Sequence, residues 1–181
     1  MLCVHILLVS LPLLVADAAH ETPQQVVTRY NNYKAICNGL GYENLGCKVK
    51  SETVVFQSSL TKTMTNMKNE ETVIFDDVSL NEGKAYDRTT GIFTAPSDGF
   101  FSFTWATLTK GGQYFITEIV HNGQRMAYNH NDGRGIDIYS MSTSHANIKM
   151  KKGDKVWIRT HGNLGQYVYG AKYCNFSGVK L

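Results

Sequence analysis

The stretch FDDVSLNEGKAYDRTTGIFTAPSDGFFSFTW, residues 75–105, decides how the rest of the chain is read. Near its end Phe101, Phe103 and Trp105 alternate with Ser102 and Thr104. Successive side chains of a strand point to opposite faces, so three large rings share one face and two hydroxyls share the other. That is a strand with one side in a core. Outward from it, strand-length apolar or alternating runs recur at residues 54–60, 73–75, 92–94, 99–108, 114–121, 124–128, 136–150, 155–161 and 167–181, separated by Gly, Asn and Asp. Asn122-Gly123 marks a two-residue hairpin turn and Lys152-Gly153-Asp154 another. No helical period is sustained over this part of the chain. Short strands at such spacing predict an antiparallel sandwich or jelly roll.

The beginning of the chain reads differently. Residues 1–19 lack Lys and Arg and carry an apolar run over 4–15, then Ala16-Asp17-Ala18, whose small residues fit a signal-peptidase site with cleavage after Ala18. The run is too short to span a bilayer, which takes ~20 apolar residues, so a secreted product without a membrane span is expected. Between Glu21 and Asn38, Thr22 as N-cap, Pro23 at the first helical position and the apolar Val26, Val27, Tyr30, Tyr33, Ile36 and Cys37 predict a short amphipathic helix ended by Gly39. It either packs on the domain or associates with copies of itself. Cys37 and Cys47 enclose a Gly-rich stretch, and in a secreted chain oxidation is expected, pairing the two with each other, with an interchain bridge as the alternative. Cys174 lies among strand residues and reads as a buried thiol.

Without residues 1–18 the chain keeps 18 Lys plus Arg, and Asp17 leaves the 15 Asp plus Glu at 14, a net charge of +4. That excess is scattered, with no basic run longer than Lys151-Lys152, and does not describe a nucleic-acid surface. Two prolines remain, Pro23 and Pro96, and no glycine precedes Gly39, which excludes a collagen stalk.

Residues 75–105 can also be written as a pattern: Phe75, five residues, Asn81, four, Tyr86, six, Phe93, five, Gly99, then Phe101, Phe103 and Trp105 each one residue apart. This resembles the signature of the C1q globular domain. Phe101 stands where Tyr is usual and Trp105 where Phe or Tyr is usual, and both keep an aromatic ring. Further matches are Val55-Phe56, Asn122-Gly123, Gly153-Asp154-Lys155-Val156-Trp157 and Phe176-Ser177-Gly178, so the resemblance covers residues 53–181. It is nearest to the small collagen-less secreted type found in molluscs and other invertebrates. The organisation expected is a leader at 1–18, an N-terminal segment at 19–52 and the C1q domain at 53–181. The resemblance implies an all-β, ten-stranded jelly roll of the C1q and tumour-necrosis-factor type, assembled as a homotrimer. Tyr167, Tyr169 and Tyr173, at alternate positions, form a row of rings suited either to a subunit interface or to the core of one subunit.

No nucleophile elbow and no His-Glu-x-x-His helix is present, so an enzyme is not expected and no cofactor is required. The loop 129–133 with Asp137 is dense in oxygen ligands, and Asp132 and Asp137 could hold calcium, which some members of the family bind; without metal it is a polar loop. Topology places the loops 110–113, 129–135 and 161–166 at one end. There Tyr128, Asn129, Asn131, Asp132, Arg134, Asn163 and Tyr167 offer amides, a carboxylate, a guanidinium fork and rings of the kind that hold a sugar. Polar loops with binding on the trimer flank would look the same. The function expected is a lectin-like, pattern-recognition protein of innate immunity that binds carbohydrate on microbial surfaces. The alternatives are a receptor-directed, cytokine-like ligand and an extracellular-matrix component.

Overall fold

The computed structural model describes residues 22–39 and 53–181. The chain divides into two compact units, Met1–Ser51 and Glu52–Leu181. In the first, Pro23–Gly39 forms helix α1. Thr22 and Gln25 close its start reciprocally: Gln25 N–H donates to Thr22 Oγ1 at 3.4 Å and Thr22 N–H to Gln25 Oε1 at 2.8 Å, a capping box that occupies donors the first turn leaves open. Val26, Val27, Tyr30, Tyr33 and Ile36 are exposed on it. Cys47, the Cys37 side chain and the leader lie outside the described residues, and with them the expected Cys37–Cys47 bond.

The second unit is built of eleven antiparallel strands: β1 (Val55–Ser59), β2 (Met64–Met67), β3 (Asp77–Glu82), β4 (Tyr86–Asp87), β5 (Ile92–Thr94), β6 (Gly99–Lys110), β7 (Tyr114–His121), β8 (Gln124–Asp132), β9 (Tyr139–Met150), β10 (Lys155–Val168) and β11 (Asn175–Lys180). One sheet runs β3-β1-β11-β6-β9 and the other β4-β5-β10-β7-β8, with β2 added to β10. This is the two-sheet jelly roll the alternation predicts. Asn122 and Gly123 take positive φ of 50° and 87°, as a two-residue hairpin turn requires.

Three expectations change in detail. Residues 73–75 are not a strand, while the polar β2, β3 and β4 are. β10 continues through residues 161–166, absorbing the surplus as an irregularity between Thr160 and Gly165. Residues 167–181 are not one strand: Tyr167 and Val168 are the last residues of β10, Tyr169 and Tyr173 lie in the connection, and β11 begins at Asn175.

The inward face of β6 changes character along its length. At one end Phe101, Phe103 and Trp105 are fully buried with Phe56, Phe75, Phe93 and Phe176. Phe56 stacks on Tyr86 at 4.6 Å and meets Phe176 edge-on at 4.9 Å. Gly178 lets these rings close up, since a Cβ there would lie 2.6 Å from both Phe103 and Phe56. Asn81 earns its place in the pattern by clasping Tyr86: its Nδ2 donates to Tyr86 O at 2.8 Å and its Oδ1 accepts from Tyr86 N–H at 3.2 Å. The Tyr86 hydroxyl donates to Phe75 O at 3.1 Å, and burial pushes this phenol well above its ordinary range.

Beyond Trp105, whose indole N–H donates to Thr117 Oγ1 at 3.0 Å, the interior becomes polar. Thr107, Thr109, Thr117, Asn129, Asn131 and Thr160 are all fully buried there. A buried polar group has to find partners in the protein; the donors here do so largely through the backbone, while Oδ1 of Asn129 and Oδ1 of Asn131 have no hydrogen-bond partner among the described residues. Asn131 Nδ2 donates to Thr107 O at 2.7 Å and Ser140 O at 3.1 Å, and Asn129 Nδ2 to Ser142 O at 3.0 Å. The two amides thereby stitch β8, at the margin of one sheet, to β9, at the margin of the other.

Candidate functional site

The long connections do meet at the polar end. Gly112 N–H donates to Gly133 O at 2.9 Å and Gly133 N–H to Gln113 O at 2.8 Å, which joins the β6–β7 turn to the β8–β9 loop. Tyr169 N–H donates to Leu108 O at 2.8 Å, which brings the β10–β11 connection alongside. Gly111 fits because it has no side chain: a Cβ would lie 2.3 Å from Ile136 O.

The residues expected to bind separate into distinct places. Asn129 and Asn131 point inward and hold the sheets together, so neither faces solvent. Asp132 and Arg134 pair with each other through Nε to Oδ1 at 2.9 Å and Nη2 to Oδ2 at 2.6 Å. The Arg134 hydrogen bonds hold the Asp132 carboxyl well below the usual carboxylate range. Its guanidinium also lies 4.9 Å over the Tyr114 ring, so the fork is already occupied. Asp132 fits a calcium ion poorly for the same reason, and among the described residues no three His, Cys, Asp or Glu side chains are grouped to hold a metal. Asn163 is exposed in the irregular part of β10.

Tyr128 lies on the outer face of the β4-β5-β10-β7-β8 sheet. Arg125 covers its ring at 4.8 Å and His161 meets it edge-on at 4.8 Å. Beneath them Glu118 is only 2% exposed although it points outward. Its Oε1 accepts from Arg159 at 2.7 Å and its Oε2 pairs with His161 Nδ1 at 3.0 Å, so the buried charge is matched. Sequence reading missed this cluster, whose members are spread over β7, β8 and β10; the period-2 register that puts Glu118, Tyr128 and Arg159 on one face is the signal that could have found it.

The tyrosines do come together. Tyr169 meets Tyr139 and Tyr173 edge-on, each at 5.4 Å, and Tyr167 at 6.5 Å. Tyr139, Met141 and Tyr173 are each about half exposed, and Ile138 is more so, leaving an apolar patch at this end.

Beside the patch lies an open cleft of about 340 Å³ lined by Thr65, Asn66, Lys110, Gly111, Gln113, Gln166 and Tyr167. The pairing of Tyr167 with Thr65 brings β2 to its wall. Tyr114 N–H donates to Gln166 Oε1 at 3.2 Å, which fixes that amide and leaves its Nε2 hydrogens unclaimed. The sequence placed Tyr167 and the turn 110–113 at this end, but β2 carries no alternation that would have announced Thr65 and Asn66.

The C1q domain family matches residues 55–180. The heavy metal-binding protein HIP of Mytilus edulis is 34% identical over 116 residues, 64% of this chain and 54% of that protein. Complement C1q tumor necrosis factor-related protein 3 of Mus musculus is 29% identical over 131 residues, 71% of this chain and 51% of that protein. The chain thus spans about half the length of the curated relatives it matches. Among solved structures, the globular domain of zebrafish complement 1qA superimposes with a TM-score of 0.57 at 18% identity, over 69% of this chain and 94% of that one. Murine APRIL superimposes with a TM-score of 0.56 at 12% identity, over 71% of this chain and 99% of that one, a likeness of fold alone. The match over residues 55–180, on a jelly roll whose aromatic anchors follow the signature, places this chain in the C1q-domain family.

Proposed function

We propose that this chain is a secreted binding protein that assembles as a homotrimer and recognises glycans on microbial surfaces, in the manner of an innate pattern-recognition lectin. C1q and tumour-necrosis-factor domains are binding proteins that usually form homotrimers, and C1q-domain proteins are generally secreted. No described helix is long and apolar enough to cross a membrane. The observation that carries the glycan reading is the loop end itself: beside the Tyr139-Tyr169-Tyr173 patch it offers a cleft whose wall combines the Tyr167 ring with side-chain amides. Rings for a pyranose face and amides for hydroxyls are what sugar sites use. The patch is the surface through which copies of the chain would associate, since large rings suit subunit interfaces. Three shallow sites on a rigid trimer act together, so weak single-site binding gives avidity on a repetitive surface. The heavy-metal binding in the name of the Mytilus relative is not carried over, because no ligand cluster for it exists among the described residues.

A receptor-directed reading rests on a different observation, the Tyr128, Arg125 and His161 cluster on the outer sheet face, because Tyr and Arg dominate protein–protein hot spots. A glycan array probed with the secreted protein, with its native mass measured by sedimentation, separates the two. Trimeric mass with saturable binding to glycans is expected. A monomer, or a trimer that ignores every glycan and binds a cell-surface protein through Tyr128, overturns the proposal.

A further inference from the structure

Asn175-Phe176-Ser177 is the only Asn-x-Ser/Thr sequence in the chain, the form of an N-glycosylation acceptor. Such acceptors belong in surface loops, and this one lies in a strand. Asn175 opens β11, where its backbone pairs with Ser59 of β1 on one side and with Ala106 of β6 on the other. Phe176 and Gly178 are buried, so alternation turns Asn175 and Ser177 to the outer face of the β3-β1-β11-β6-β9 sheet. Asn81, Asn122, Asn129 and Asn131 all spend amide hydrogens on protein acceptors. The half-buried Asn175 carboxamide makes no such bond among the described residues. Its nitrogen is chemically uncommitted, and Tyr173, two residues before it, belongs to the tyrosine patch.

We propose that Asn175 is an N-glycan acceptor whose occupancy decides assembly: chains that carry the glycan stay monomeric, and chains with a bare Asn175 form the homotrimer. The inference rests on the secreted homotrimer read above and adds a modification that controls it. Transfer forms a bond between the amide nitrogen of Asn175 and the anomeric carbon of an oligosaccharide carried on a lipid diphosphate. The carbon–oxygen bond to the diphosphate breaks, the diphosphate leaves with that electron pair, and it takes up the proton the amide gives away. The timing follows from the topology. β11 is the last of the eleven strands in chain order and fills the place between β1 and β6, which precede it by many residues. Synthesis delivers those two first, and pairing over long sequence separations is slow, so the acceptor stays in open chain until β11 inserts. Once it has inserted, both backbone edges of Asn175 are taken and the segment no longer bends into a transferase. Glycosyl transfer and strand insertion therefore compete for the same residue. An oligosaccharide that wins leaves a bulky, hydrated group beside Tyr173, where burial against a second copy would strip its hydroxyls of water.

The test uses the full chain produced through a eukaryotic secretory route, its monomer and trimer separated by size and each weighed intact before and after N-glycosidase. Glycan on the monomer and none on the trimer is expected. Ser177→Ala destroys the acceptor sequence and leaves Asn175 in place; the Ser177 hydroxyl makes a single long bond, to Thr104 O at 3.5 Å, so the variant keeps its fold. It should lose both the glycan and the monomer at equal protein concentration. Ser177→Thr, which preserves the acceptor sequence, should retain both. Glycan on the trimer, or a bare Asn175 in every fraction, overturns the inference and leaves the homotrimer standing. So does a Ser177→Ala protein with the monomer share of the wild type. A Ser177→Ala protein that is folded and wholly monomeric overturns the homotrimer reading as well.

Discussion

The two halves of β6 bury the same face in opposite ways. Phe101 and Phe103 meet other rings and Trp105 lies buried beside them; Thr107 and Thr109, two and four residues beyond Trp105, meet the Asn131 amide and the Tyr167 carbonyl. The aromatic half sits at the end with the tight turns, where β6 begins opposite Met150 and β7 finishes at His121. The polar half sits under the long loops and the cleft. Dispersion and ring packing are indifferent to small errors of direction, whereas an amide that must reach two carbonyls fixes strand positions through geometry. One half thus supplies cohesion, and the other supplies alignment for the surface above it.

Truncation should separate the halves. Phe103→Ala removes a ring that contacts Phe56, Phe93, Phe101 and Phe176 and should cost about 3–5 kcal/mol, read as a lower urea midpoint with an unchanged slope. Asn131→Ala leaves Ser140 O and Thr107 O without that donor and should cost about 1–3 kcal/mol. Its signature is local: hydrogen exchange should quicken in β8 and β9 and hardly change in β1 and β11. If Asn131→Ala costs as much as Phe103→Ala, the division into cohesive and aligning halves fails.

The smallest effect sharpens the comparison at the turn end. Asp154 accepts from Lys151 N–H at 2.8 Å, Asn122 Nδ2 at 2.9 Å and His121 Nε2 at 2.9 Å. These bonds, the Lys151 N–H foremost, hold its carboxyl at about 2. A depressed folded value stabilises above the unfolded value of ~3.9 and is lost as pH falls toward about 2. Asp154→Asn should therefore lower the urea midpoint at pH 6, and the gap to wild type should close between pH 4 and pH 2. A gap independent of pH would mean that the carboxylate charge is not what Asn122 and His121 recognise.

The aromatic half was legible in the sequence because it is written in a period of two with large residues, and the spacing from Phe75 to Trp105 carried the family with it. The polar half was not, because an inward Asn and a solvent-facing Asn are the same letter. Asn129 and Asn131 read as ligands for that reason, although they share parity with Ala127, which packs against the core. Nor could the sequence show that Arg134 turns back onto Asp132, a two-residue contact that a flexible loop makes or does not make. The cleft escaped because Thr65 and Asn66 belong to an added strand paired only with the far end of β10.

The stitching of β8 to β9 has one more consequence. Marginal strands carry unpaired backbone groups that invite a strand from another molecule, the route to edge-to-edge aggregation. Here the carbonyls of Ser140 and Ser142 are taken by asparagine amides, and the carbonyl of Tyr128 by the hydroxyl of Ser144. A foreign strand approaching this margin would have to displace side chains that already fill its hydrogen-bonding positions. The same residues that align the sheets thus keep this margin from templating edge-to-edge association with other copies.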